Sequence, residues 1–378
     1  MVTERLKGLS FIGSADIIGT GITSVFWLFL ASQISPENYG EIFYFIGIAI
    51  TVSAFVIIGT QSTLSVYCSK KIKIESTLYF ISLLLGVAAS IIIMILFYKV
   101  DVVFLLFGYI INTLAIGEIL GKKSFSSYWK FSLVQKILTL ILGLSFFYAL
   151  GPDGILFALA ISYIFFSIQI YKGFKETKID FSLLKDRSLF IVNNYLVEVF
   201  TKLNAHLNKF IIVPLLGFSV LGNFSLALQV VNVGLIFTMI VFKYTVPFDA
   251  QGKENKKLKK ISLIVSVAFA FLGMFLAPII IPIFFPEYVD VISVIQIISF
   301  SIIPVTIARI YASKLLGQEK NKQIVFSKII SMITFVVAIV ILSPNYGVIG
   351  LGISYLLSTI AESICLIPKI NFLEKKYD

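Results

Sequence analysis

Twelve stretches of about twenty apolar residues each, the length needed to cross ~30 Å of hydrocarbon, follow one another through this chain of 378 residues: 9–32, 41–67, 77–98, 101–121, 131–150, 153–171, 189–215, 220–246, 261–285, 288–312, 323–342 and 346–368. A backbone inside lipid must satisfy its own polar groups, so a succession of this kind folds as helices. The hydrophobic fraction, 58%, is too high for a water-soluble surface to cover. The chain therefore reads as an all-α polytopic membrane protein. The first stretch, preceded by Arg5 and Lys7, is longer than the apolar core of a cleaved leader and is expected to stay as an anchor.

The net charge of +11 could suggest nucleic acid, but its placement says otherwise. Alternate connections are basic: Lys70, Lys71 and Lys73; Lys122, Lys123 and Lys130; Lys172, Lys175, Lys178, Lys185 and Arg187; Lys253, Lys256, Lys257, Lys259 and Lys260; Lys314, Lys320 and Lys322. Both termini join this set through Arg5, Lys7, Lys375 and Lys376. The other connections, "SPENYGE", "YKVD", "GPDG", "GFSVLG", "FPEYVD" and "SPNYG", contain one cation, Lys99. Basic loops remain in the cytoplasm, so both termini are expected there.

The two halves repeat in parallel. "KKIK" at 70–73 opens the third stretch and "KKLK" at 256–259 the ninth. "PDGILFALAISYI" from Pro152 matches "PNYGVIGLGISYL" from Pro344, and "YGEIFYF" at Tyr39 weakly matches "LGNFSLA" at Leu221. This predicts two six-helix lobes, 1–188 and 189–378, joined by a cytoplasmic linker at about 172–188 and related by a pseudo-two-fold along the membrane normal. Such a repeat suits alternating access around a midplane site.

At "SPENYGEIFYFIGI" and "LLGFSVLGNFSLALQV" the chain resembles the polysaccharide flippases of the multidrug/oligosaccharidyl-lipid/polysaccharide exporter superfamily. The resemblance implies twelve helices in two lobes. It also implies outward movement of undecaprenyl-pyrophosphate-linked oligosaccharides across the bacterial inner membrane, for O-antigen, capsule or exopolysaccharide, in a multi-pass protein surrounded by membrane lipid; the driving force is expected from an ion gradient, the membrane potential or removal of product by a downstream polymerase. The chain departs from that family at Asn208-Lys209, where an acidic-basic pair is common.

Charges inside the spans are the candidate site residues, because ionisable groups at membrane depth are costly and tend to be functional. In "EVFTKLNAHLNKFII", Glu198, Lys202 and His206 follow at i, i+4 and i+8, one helix face, with Lys209 close to the same stripe. Lys202 lies ~20 Å along the seventh span at 1.5 Å per residue; Lys209 is near enough to the outer interface to snorkel. This face is read as a cationic cavity lining for an anionic head group, against a plain Glu198–Lys202 neutralising pair. Arg309 is a further cavity candidate, and Asp16 and Glu362 are candidates for a coupling proton or sodium ion. Lys136, Lys243, Lys328 and Glu118 are expected to reach the cytoplasmic interface. Tyr195 and Tyr311 are possible sugar-stacking groups.

The single histidine excludes a histidine-rich metal site, and no phosphate-binding Gly-x-x-x-x-Gly-Lys-Ser/Thr loop is present. No enzyme, cofactor or metal is expected. Cys68 and Cys365 read as reduced packing residues. The alternative function is an ion-coupled drug or cation exporter of the same superfamily. A peptidoglycan-precursor flippase is disfavoured because only ten residues follow the last stretch, and a sugar polymerase because every outer connection is short.

Overall fold

The computed structural model describes residues 2–249, 255–317 and 321–367. Helix is the only extended regular structure among them. In chain order the helices are α1 (Val2–Ala31), α2 (Pro36–Val56), α3 (Gln61–Ser69), α4 (Glu75–Phe97), α5 (Val100–Gly121), α6 (Phe125–Leu150), α7 (Gly154–Ile161), α8 (Ser167–Glu176), α9 (Ser182–Lys185), α10 (Ser188–Gly234), α11 (Ile236–Asp249), α12 (Lys256–Phe284), α13 (Val291–Ser299), α14 (Ile302–Gly317) and α15 (Asn321–Leu366).

Nine stretches among the described residues are long and apolar enough to span a membrane, and three of these, of 52, 47 and 45 residues, are double. A 47-residue helix would measure ~70 Å, more than twice the hydrocarbon thickness. Each double stretch contains a glycine with positive φ, a conformation that side chains oppose: Gly151 (φ 72°), Gly217 (φ 85°) and Gly347 (φ 54°). Six single and three divided stretches make the twelve expected crossings.

Four expected spans are interrupted, the eighth briefly at Leu235 and the tenth at Phe300–Ser301, the second and sixth over longer breaks. The second stops at Val56 and resumes as α3, where the Thr60 side chain caps the new helix by accepting from Thr63 N–H. The sixth runs through α7, a short 3₁₀ turn at Ile164–Phe166 and α8. Burial separates the helices by role. In α5, 61% of the apolar window is inside the protein, against 22% in each of α4, α12 and α15, whose apolar windows are the most exposed among the described spans.

The repeated Ile-Ser-Tyr segments occupy comparable settings. Each follows a positive-φ glycine, and each serine is fully buried with its hydroxyl turned back to its own helix: Ser162 to Leu159 O at 2.6 Å and Ser354 to Gly350 O at 2.7 Å. Tyr163 then packs on Tyr109, and Tyr355 on Phe224.

The chain forms two compact units. One comprises Met1–Phe26 with Glu41–Phe210, the other Trp27–Gly40 with Ile211–Asp378. This division differs from the lobe boundary expected at 188: residues 189–210 pack with the first unit and 27–40 with the second. Of the basic positions used to orient the chain, Lys253, Lys320, Lys375 and Lys376 lie outside the described residues, as do the side chains of Arg5, Lys7 and Lys243.

Candidate functional site

The first unit contains a cavity of about 150 Å³ whose polar lining comes from three helices: Ser53 on α2, Tyr109, Asn112 and Thr113 on α5, and Glu198 and Lys202 on α10. α5 is mostly core, so an Asn-Thr pair halfway along it is costly unless it faces a polar space. α10 completes the wall with the i, i+4 pair. The Lys202 Nζ to Glu198 Oε1 distance is 3.7 Å, and the side chains keep 41% and 28% of their exposure. That is a loose, partly solvated pair; Lys202 retains donors for a ligand.

One turn further along α10, His206 has a buried Nδ1 with no hydrogen-bond partner among the described residues. Lys209 follows. It does not snorkel: only 8% of it is exposed, and its ammonium lies 5.4 Å from the centre of the Phe43 ring. No carboxylate among the described residues pairs with it. Its backbone N–H donates to Asn208 Oδ1 at 2.9 Å. Snorkelling failed as an expectation because α2 covers this face of α10.

The other candidates lie elsewhere. Asp16 on α1 accepts a hydrogen bond from Tyr128 of α6 at 2.8 Å and is not among the residues lining the cavity. The Lys136 stem packs close to Gly19, a turn above Asp16 on α1, so Lys136 is half-buried against that helix rather than extended to an interface. Arg309 and Glu362 belong to the second unit. Arg309 donates to Leu235 O at 3.2 Å, and Glu362 pairs with Lys328 at 2.6 Å. Tyr195, a possible sugar platform, donates its hydroxyl to Phe55 O at 2.9 Å, and Tyr311 packs on the apolar cluster of Ala308, Leu315 and Leu366.

Glu118 is a correction. Expected near an interface, it is fully buried, accepts from the Tyr79 hydroxyl and faces Lys122 at 2.6 Å. Lys122 also reaches Glu176 at 2.6 Å. Burial pushes the Lys122 ammonium down, but these two carboxylates outweigh it and hold it above the ordinary lysine range. Sequence reasoning also missed the buried pair of Lys259 with Asp249, 2.8 Å apart, to which the Ser313 hydroxyl adds a 2.6 Å hydrogen bond. Of the cavity, Ser53, Tyr109, Asn112 and Thr113 were missed. A polar Asn-Thr doublet inside an apolar span was the available signal.

No protein-family model matches the chain, and no curated protein matches it. Solved structures do. An inward-facing multidrug resistance MATE family transporter of the MOP superfamily aligns with 96% of this chain and 95% of its own, at 17% identity and a TM-score of 0.71. An outward-facing structure described in the same terms gives 95%, 93%, 17% and 0.65. A MOP superfamily transporter from Pyrococcus furiosus Vc1, described as having a binding pocket of reverse polarity that suggests a different function, gives 95%, 94%, 16% and 0.65. The protein thus has the two-lobe, all-helical fold of MOP superfamily transporters. These likenesses reach the superfamily fold; they do not single out its polysaccharide-flippase branch.

Proposed function

We propose that the protein is a non-enzymatic secondary exporter, working by alternating access, whose substrate is amphipathic and anionic. Within that class, the sequence resemblance names a polyprenyl-pyrophosphate-linked oligosaccharide, in a bacterial inner membrane with both termini cytoplasmic. Lys202 carries this reading. It stands in a polar cavity with hydroxyl and amide groups suited to a sugar, and it is only loosely engaged by Glu198. The ammonium, 3.7 Å from its nearest carboxylate, keeps charge with which to offset a phosphate. Lys202→Gln is expected to abolish surface polysaccharide at an unchanged membrane level, and Lys202→Arg to keep part of it. The double change of Glu198→Gln with Lys202→Gln separates the roles: full rescue would make the pair structural and remove the anionic reading.

A second reading is an ion-coupled drug or cation exporter. The solved neighbours, described as multidrug transporters, support it more directly than they support the first. Asp16, hydrogen-bonded to Tyr128 inside the span of α1, would be its coupling carboxylate. Efflux of a cationic dye from cells expressing the protein, dependent on the ion gradient and on Asp16 but not on Lys202, would establish this reading over the first.

A further inference from the structure

The basic connection after α8 is not a free loop. Thr177–Asp180 is fastened to the first turn of α4 by four hydrogen bonds. Ser76 N–H donates to Thr177 Oγ1 at 3.1 Å and the Ser76 hydroxyl to Thr177 O at 3.0 Å. Asp180 N–H donates to Thr77 Oγ1 at 2.8 Å and the Thr77 hydroxyl to Asp180 O at 3.2 Å. Ser76 and Thr77 are fully buried at this junction, whereas Ile179 and Phe181 keep 45% and 54% of their exposure. The Phe181 ring meets that of Phe80, on α4, edge-on at 6.2 Å. Topology asks only for cations in such a connection; it asks neither for the fastening nor for the exposed rings.

Phe80 opens an apolar stripe. Phe80, Leu84, Val87 and Ile91 fall at i, i+4, i+7 and i+11, one face of α4, and all four are exposed. At 1.5 Å per residue the stripe is about 16 Å long, roughly half of the ~30 Å hydrocarbon core and so one leaflet deep. At its basic end stand Lys73, three residues before Ser76, and Lys178, directly after Thr177. Both are exposed, and neither pairs with a carboxylate among the described residues. The carboxylates nearest in sequence are engaged. Glu75 is buried and accepts from the Cys68 thiol at 3.4 Å. Glu176 pairs with Lys122 at 2.6 Å, and Asp180 accepts from Ser182 N–H at 2.9 Å and from its hydroxyl at 2.6 Å.

We propose that this surface of the first unit is a binding site for an anionic phospholipid, with a hydrocarbon chain along the Phe80–Ile91 stripe and the phosphate met by Lys73 and Lys178. The continuity of the two surfaces selects an amphiphile. A soluble anion would leave the stripe unused, and an acidic protein surface could not follow it one leaflet into the hydrocarbon. Each lysine close to a membrane surface favours anionic lipid by about 5-fold at most, so the pair turns a general contact with lipid into a selective one. The site is independent of what the protein exports and needs only that α4 faces the bilayer.

The test uses the full chain with Cys68→Ser and Cys365→Ser, a bimane fluorophore on Ile179→Cys, and vesicles of phosphatidylcholine with phosphatidylglycerol in which one lipid or the other carries brominated chains. Brominated phosphatidylglycerol is expected to quench about 2- to 5-fold more per mole than brominated phosphatidylcholine. The preference should shrink at 1 M salt, where screening shortens to ~3 Å. It should vanish in Lys73→Gln with Lys178→Gln, while quenching by brominated phosphatidylcholine persists and shows that the segment still lies against lipid. Equal quenching by the two lipids in the starting protein, no quenching by either, or a preference that survives loss of both lysines would overturn the site. Loss of the preference on adding millimolar inorganic pyrophosphate at constant ionic strength would assign the lysines to a soluble anion and overturn the phospholipid.

Discussion

Gly47 makes the room that Lys209 occupies: a Cβ at position 47 would lie 2.7 Å from Lys209 Cδ. The missing side chain on α2 lets a buried lysine of α10 run beneath it to the Phe43 ring. Gly47→Val is expected to displace the lysine and cost about 1–3 kcal/mol through overpacking. Thermal unfolding in detergent measures that cost, and Gly47→Val combined with Lys209→Ala should recover most of it. Recovery of stability without recovery of transport would show that the ammonium itself is needed.

The buried Lys259–Asp249 pair predicts an asymmetry. Both side chains are nearly inaccessible, at 6% and 2%, and Ser313 donates to the carboxylate. Lys259→Met alone strands a buried carboxylate and is expected to destabilise by about 3–5 kcal/mol. Lys259→Met with Asp249→Leu should cost much less, since replacing both charges removes their desolvation as well. The loose Glu198–Lys202 pair should behave differently. Its removal should change stability by about 1 kcal/mol or less, as for other solvated pairs. Unfolding curves of the variants, compared pairwise, check both.

For Asp16, the expected outcome of Asp16→Asn is normal membrane insertion with transport that no longer follows the proton or sodium gradient. Tyr128→Phe, which removes the 2.8 Å hydrogen bond to the carboxylate, should shift the ion dependence in the same direction by a smaller amount. Transport into membrane vesicles under imposed gradients reads this, and unchanged ion dependence in Asp16→Asn would remove Asp16 as the coupling group.

Topology is the simplest check. Reporters fused after Lys122, Arg187, Lys260 and Lys322 should be cytoplasmic, and those within 34–40 or 343–347 periplasmic. The fusion after Arg187 is decisive, because it fixes the parity of the six crossings on either side.

The succession of apolar stretches was legible without a structure, and so were the breaks at Gly151, Gly217 and Gly347 that divide the three double stretches, but not the interruptions inside the second, sixth, eighth and tenth spans. Runs of twenty apolar residues ending at Gly-Pro or Pro-Asn pairs carry that information locally: lipid leaves a backbone no partner but itself, and a positive-φ turn needs glycine, as Gly151 and Gly347 show. The i, i+4 spacing likewise predicted that Glu198 and Lys202 share a face. It could not say what that face meets. Lys209 was expected to reach water because its distance along the helix allowed it, but α2 covers it; Glu118 was placed at an interface by the same counting and is buried against Tyr79. The packing of residues 27–40 with the second unit was equally invisible, since it rests on contacts between distant positions, among them the close backbone approach of Gly40 and Gly222, 182 positions apart. Hydrophobic length is a property of a segment in its solvent. The partner of a charge, or of a missing side chain, is a property of the neighbouring helix, and only the packed structure supplies that neighbour.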